Sequence, residues 1–241
     1  MATDKNNPPD WRALNRDWYG RIESAYAQLG HPLGFNPLLL SSVESFDATP
    51  RLLVATLNPA GDRDYPDHRG VDRYAGGNAY TSVDWKGAGP GRAPLQVQMQ
   101  GVFRYLQERT GFGGSPEEFA RARVVTAQII PFRSPDEESL HRRDDSLAFV
   151  QQIWREIFSY WQPQIVVSVG ATTTEAFGDL LGRARLRFMP TGWGKVKMSL
   201  HEFPKTRLLG LPHLSTFKLF SRAQSAPYLA EAFDWLVGGV K

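Results

Sequence analysis

Residues Arg51–Leu57 read RLLVATL, and Asn58-Pro59-Ala60-Gly61-Asp62 follows at once. The run is too short for an ordinary helix and has no polar face. A short segment that is apolar on both sides is the signature of a strand buried in a parallel sheet. The change to Asn, Pro and Gly marks a tight turn at its carboxyl end. Three more runs have this form: Arg123–Pro131 (RVVTAQIIP), Gln164–Val169 (QIVVSV) and Arg207–Leu211 (RLLGL).

Helical stripes separate them. Leu95, Met99, Val102, Phe103 and Leu106 recur at helical spacing and end near Gly111. Leu147, Val150, Trp154, Ile157, Phe158 and Trp161 form a second stripe, stopped by Pro163. Thr172–Leu181 predicts a short helix with Gly182 as its stop. Upstream, Trp11, Leu14, Trp18, Ile22, Ala25 and Leu29 predict an amphipathic helix over 11–29. Downstream, Ser225 is expected to cap, and Pro227 to open, a last helix carrying Leu229, Ala232, Phe233 and Leu236. Leu186–Phe203 reads as a hairpin around Thr191-Gly192-Trp193-Gly194. Strands alternating with helices predict an α/β fold, a three-layer α/β/α arrangement with a central four-stranded, mostly parallel sheet. Residues 1–10 are expected to be a flexible tail and 11–241 a single domain. Asn58–Pro94 is a long Gly-, Pro- and Asp-rich stretch, and such a loop inside a domain is uncommon unless functional.

Composition narrows the function. Of 241 residues 41% are hydrophobic and 22% charged, near globular averages, which excludes a wholly disordered chain. No apolar run approaches the roughly 20 residues of a membrane span. The opening MATDKNNPPDW lacks a secretory pattern, so a cytoplasmic protein without a membrane partner is expected. The absence of cysteine excludes disulfides, thiolate zinc, iron–sulfur clusters and a Cys nucleophile. There is no Gly-x-Gly-x-x-Gly, Walker A or Gly-x-Ser-x-Gly pattern and no metal-ligand spacing, so neither cofactor nor metal is expected. The net charge is only +3, but residues 183–207 carry seven basic side chains against one acidic, net +6. Such a cluster attracts a polyanion; a solvated basic hairpin is the plain alternative.

Ligands of open α/β sheets sit at the carboxyl ends of the strands. Those ends read Asn58-Pro59-Ala60-Gly61-Asp62, Pro131-Phe132-Arg133-Ser134-Pro135, Gly170-Ala171-Thr172-Thr173 and Pro212-His213-Leu214-Ser215-Thr216. In order and placement they resemble the uracil-DNA glycosylase superfamily over about residues 50–240. The Asn58-Pro59 turn is similar to that family's first motif, Gly-x-Asn-Pro-Gly in several branches, and His213-Leu214-Ser215 to its last, His-Pro-Ser. Between them the strand, Arg-x-Pro loop, long helix, strand and Thr-rich helix start follow the family's order over Val124–Pro135 and Ile165–Leu181.

The resemblance implies a monofunctional DNA glycosylase that flips a pyrimidine out of the duplex and hydrolyses its N-glycosidic bond. Asn58 would position the water and His213 would donate a hydrogen bond to the leaving base. Asp62 and Asp64 stand just beyond the first motif in place of the family's more usual residues, and either is a candidate to assist the water. Tyr80 would stack on the base, with Trp85 competing for that role. Gln128 would read the base edge where the family commonly has Asn, and Phe132, Ala60 and Gly61 complete the base-binding set. Ser215, Thr216, Lys218 and Arg222 would hold the DNA backbone. Phe217, Leu219 or Phe220 would wedge into the duplex. Arg133, Lys195 and Lys197, together with Lys86 and Arg92, would meet phosphates. Asn58 and His213 are expected at adjacent strand ends.

Each of these residues has a plainer reading: a turn for Asn58, a cap or surface position for His213, core packing for Tyr80, hydrophobic anchoring for the wedge candidates. The lost proline of the last motif, the longer Gln128 and the long loop over 62–94 point away from plain uracil. They point toward a larger or modified pyrimidine, such as a hypermodified cytosine of phage DNA. Such an enzyme would serve antiviral defence rather than repair. DNA is the expected partner and a monomer the expected state. A catalytically weak DNA-binding or base-sensing module on the same fold is the alternative from another class, and an α/β hydrolase of small phosphorylated or nucleoside substrates is the third.

Overall fold

The computed structural model describes residues 9–85 and 87–239. Most of the tail expected over 1–10, and Lys86, lie outside them. The tail's last residue, Asp10, is ordered by use. Its carboxylate accepts from the backbone N–H of Arg12 and Ala13 and caps the first helix, α1 (Trp11–Leu29), which Gly30 ends in the left-handed conformation.

The other elements, in chain order, are β1 (Leu52–Thr56), α2 (Pro94–Thr110), α3 (Pro116–Arg123), β2 (Val124–Gln128), α4 (Arg143–Tyr160), β3 (Ile165–Val169), α5 (Ala171–Leu181), β4 (Arg185–Pro190), β5 (Lys197–Glu202), β6 (Arg207–Leu211) and α6 (Ala226–Val237). α3 answers to no stripe in the sequence reading. It is made by a capping box: Ser115 Oγ accepts from Glu118 N at 3.2 Å while a Glu118 carboxylate oxygen accepts from Ser115 N at 2.8 Å. At the last helix the expected cap does not form. α6 starts one residue before Pro227, and the buried Ser225 hydroxyl has no partner.

The sheet has six strands rather than four, in the order β2-β1-β3-β6-β5-β4. The four apolar runs are its parallel part. The hairpin β4–β5 continues the same sheet antiparallel to β6, with Ser199 opposite Gly210 and Glu202 opposite Arg207. Five of the six residues of β4, all but Met189, are exposed, so it lacks the apolar run that betrays a central strand.

Side chains alternate across the sheet. Leu52, Val54, Ile165, Val167 and Leu209 pack with Val102, Phe103, Phe119 and Phe233 of α2, α3 and α6. Leu53, Ala55, Val125, Val166 and Leu208 pack on the other face with Ile22, Trp154 and Phe177 of α1, α4 and α5. Each fully buried Val, Leu, Ile or Phe among them contributes roughly 1.5–3 kcal/mol relative to exposure. Beyond β2, the segment 35–41 runs alongside as a cover: Leu40 N donates to Thr126 O at 2.7 Å and Gln128 N to Leu38 O at 3.0 Å.

Candidate active site at the strand ends

The chain leaves β1 toward β2 on one side and β3 toward β6 on the other, so the strand order reverses between β1 and β3. Crevices form at the carboxyl end of such a switch point. Asn58 stands just beyond β1 and His213 just beyond β6. They are not at adjacent strand ends, because β3 lies between them. Two strand spacings separate the backbones there by about 10 Å. That is room for a flat ring between the two side chains.

Asn58 is oriented by its donors. Its Nδ2 donates to Phe132 O at 3.2 Å and to Ser134 Oγ at 2.8 Å, and Ser134 Oγ in turn donates to Asp136 O at 2.5 Å. Ser134 has one hydroxyl hydrogen, so it accepts from Asn58 and the amide cannot be turned over. Oδ1 is left as an acceptor. The turns after β1 and β2 are tied together as well, by Gly61 N to Ser134 O at 3.1 Å and Ser134 N to Pro59 O at 3.2 Å. Gly61 sits at φ 133°, where a side chain is strained, and a Cβ there would press on Tyr65 and Arg133.

Arg133 is not a surface phosphate ligand in this structure. It is 4% exposed, and its guanidinium donates to Ala60 O, to Asn36 Oδ1 at 2.9 Å and to His68 Nδ1 at 3.2 Å. The Tyr65 ring covers it at 4.6 Å and His68 stacks on Tyr65. Burial lowers the His68 pKa and the Arg133 charge lowers it further, so the ring is neutral and accepts from Arg133. Of the two carboxylates in this segment, Asp64 is held by Arg69 at 2.5 Å, whereas Asp62 is exposed and has no partner among the described residues.

Thr56 and Gln128 lie opposite each other at the ends of β1 and β2 and face the α2 side. Thr56 Oγ1 meets Tyr80 OH at 3.0 Å. Tyr80 is 1% exposed and packs edge-on against Trp85 at 5.3 Å, and burial pushes its hydroxyl pKa well up. A base reaches its ring only if that packing opens; Trp85 is the half-buried member of the pair. Gln128 is 6% exposed, and its Oε1 is buried with no hydrogen-bond partner. Phe132 contributes only its carbonyl to this end of the sheet. Its ring is fully buried and stacks on His31 at 4.0 Å.

His213 is exposed, with Nδ1 at 2.7 Å from Ser215 Oγ. When Ser215 donates, the ring hydrogen is on Nε2, and Nε2 has no partner among the described residues. Ser215, Thr216 and Lys218 are exposed around it. Leu219 is fully buried, and Phe220 packs onto α2, where a Cβ on Gly101 would come within 2.5 Å of it. Both are anchors. Phe217 is the half-buried aromatic of this loop.

Sequence reasoning passed over Trp193 as a site residue. It lies in the β4–β5 turn, with Phe217 edge-on at 6.1 Å and the Arg222 guanidinium over its ring at 4.4 Å. Its signal was an aromatic between two glycines. The antiparallel register brings this turn, with exposed Lys195 and Lys197, to the same end of the sheet as His213. Gly192 allows the approach: it has φ 73°, and a Cβ would come within 2.3 Å of Gln224 O.

Among the described residues no three metal-ligating side chains come together. A cavity of about 620 Å³ opens at the opposite, amino end of the sheet, but its one lining carboxylate, Glu202, is already paired with Arg207 at 3.0 Å. The four carboxyl-end turns are therefore the better candidate, on the ligand-binding rule for such sheets. No protein-family model matches the sequence, and no curated protein matches it.

Proposed function

We propose that the protein is a DNA glycosylase that hydrolyses the N-glycosidic bond of a flipped pyrimidine, a modified one rather than plain uracil, and leaves an abasic site. The observation that carries this reading is the Gln128 carbonyl oxygen, a buried acceptor with no partner beside the Asn58 turn. An unmet buried acceptor costs about 1–3 kcal/mol, which a ligand N–H recovers. Pyrimidines offer such a donor on the edge away from the sugar, as a ring N–H or an exocyclic amino group.

The chemistry follows from the two flanking groups. Bond cleavage develops positive charge on the sugar and negative charge on the departing base. Asn58 Oδ1 accepts from a water and holds it toward the sugar. His213 Nε2–H donates to the base oxygen on which charge accumulates. Asp62, on the adjacent loop, is the free carboxylate nearest in sequence to Asn58 and would receive the water's proton. Lys195, Lys197, Lys218, Ser215 and Thr216, all exposed at this end, suit the phosphate backbone. Phe217 is the remaining wedge candidate.

The test is abasic-site formation beside DNA affinity for Asn58→Ala and His213→Ala. Each variant is expected to lose abasic-site formation by about 10²–10³ or more while binding DNA nearly as wild type. Wild-type protein that binds DNA but forms no abasic site in any natural or phage DNA would favour the base-sensing module instead.

A further inference from the structure

Proteins protect the edges of their sheets, and this sheet treats its two edges differently. β2 is covered by the segment 35–41 through backbone hydrogen bonds. β4, at the other edge, has no such cover; among the described residues its backbone pairs with β5 alone. It also carries Leu186 and Phe188, 53% and 58% exposed, two of the four large apolar side chains exposed among the described residues. Their spacing puts both on one face, the face of Ser199 and His201. Arg185 and Arg187 alternate with them on the other face. No carboxylate lies within 4 Å of Arg183, Arg185 or Arg187 among the described residues, although ten ion pairs form elsewhere.

We infer that β4 is a docking edge for an extended acidic segment of another protein, which adds to the sheet as a seventh strand. Main-chain bonds to the open edge supply affinity, and alternate side chains supply specificity. The occupant places apolar side chains over Leu186 and Phe188, and Asp or Glu opposite Arg185 and Arg187. Its sequence therefore alternates apolar and acidic residues. A second copy of this chain does not meet that requirement, because β4 has no carboxylate to set opposite Arg185 and Arg187. Duplex DNA does not either. Phosphates have no use for the apolar pair, and Arg183 and Arg185 lie at the amino end of the sheet, roughly 17–20 Å along β4 from the candidate active site. The docking edge stands independently of the reaction at the strand ends.

The test uses the full chain and a short fluorescent synthetic peptide alternating Glu with Val or Thr. Saturable binding is expected, weakened about tenfold or more by Arg185→Glu with Arg187→Glu, and weakened also by Phe188→Glu. All three side chains are exposed, so the variants should fold. Amide hydrogen exchange of β4 is expected to slow in the complex, which charge attraction alone would not produce. No saturable binding, binding indifferent to the Arg185/Arg187 reversal, or binding without protection of β4 would overturn the inference. So would displacement of the peptide by a short DNA duplex, or a dimer of the chain that protects β4 with no peptide present.

Discussion

Asn58 and Gln128 carry opposite kinds of information at the same strand ends. Asn58 is over-determined: its donors are consumed by Phe132 O and Ser134 Oγ, so substitution disturbs both the turn and the water it would hold. Gln128 is under-determined, with a buried oxygen that nothing meets. Gln128→Leu should therefore leave thermal stability unchanged or slightly raised, while base release falls by at least tenfold. Equal loss of both would assign Gln128 to the core alone. His31 gives a third residue-scale expectation. It is buried between Phe132 and Ser146, and burial, with His141 and Arg142 nearby, lowers its pKa to about 4. The unfolded chain takes up a proton there near pH 6.5 and the folded chain only near pH 4, so stability is full above 6.5 and falls as pH drops through this window. A loss on the order of 2–3 kcal/mol is expected in denaturant titrations, and His31→Phe should flatten it. Legibility at this scale was uneven. The Asn-Pro turn and the His-x-Ser pair are local patterns, and the structure places them at strand ends. Position in the chain points Tyr80, Phe132 and Arg133 toward ligand, but their burial depends on neighbours such as Trp85, His31 and Asn36 that are distant or unremarkable in sequence.

Elements whose stability is written in one continuous pattern were readable, and those that depend on partners were not. β6 was bounded from its apolar run alone, and α1 from its stripe. α3 has eight residues and buries only Phe119 and Ala120, too few for a stripe, and its signal was the Ser115–Glu118 box. Ser115→Ala should cost about 1 kcal/mol, measurable in equilibrium unfolding. The hairpin was visible, but its membership of the sheet was not, because β4 is mostly exposed. Its turn is the element that couples the basic segment to the His213 loop, through Trp193, Phe217 and Arg222. Gly192→Ala sets a Cβ against Gln224 O and forces an unfavourable φ. It should destabilise the protein by about 1–3 kcal/mol and weaken DNA binding with it, as read by thermal melting and DNA titration.

Across the molecule, the fold divides what the sequence presents as one basic cluster. The net +6 of residues 183–207 is strung along the hairpin, with Lys195 and Lys197 at the candidate active end and Arg183 and Arg185 at the far end. The cluster is visible along the chain; only the strand directions reveal its two poles. Replacing Lys195 and Lys197 by Gln should reduce the salt slope of DNA binding by about two, whereas replacing Arg183 and Arg185 should leave it unchanged. The central claim is that the carboxyl ends of β1, β2 and β6 release a base from DNA. Its most direct measurement is mass spectrometry of the free bases liberated from unmodified, uracil-containing and phage-modified DNA by the wild-type protein and by Asn58→Ala. Release of one modified pyrimidine by the wild type, absent with Asn58→Ala, is the predicted result; no base released from any of these DNAs would contradict it.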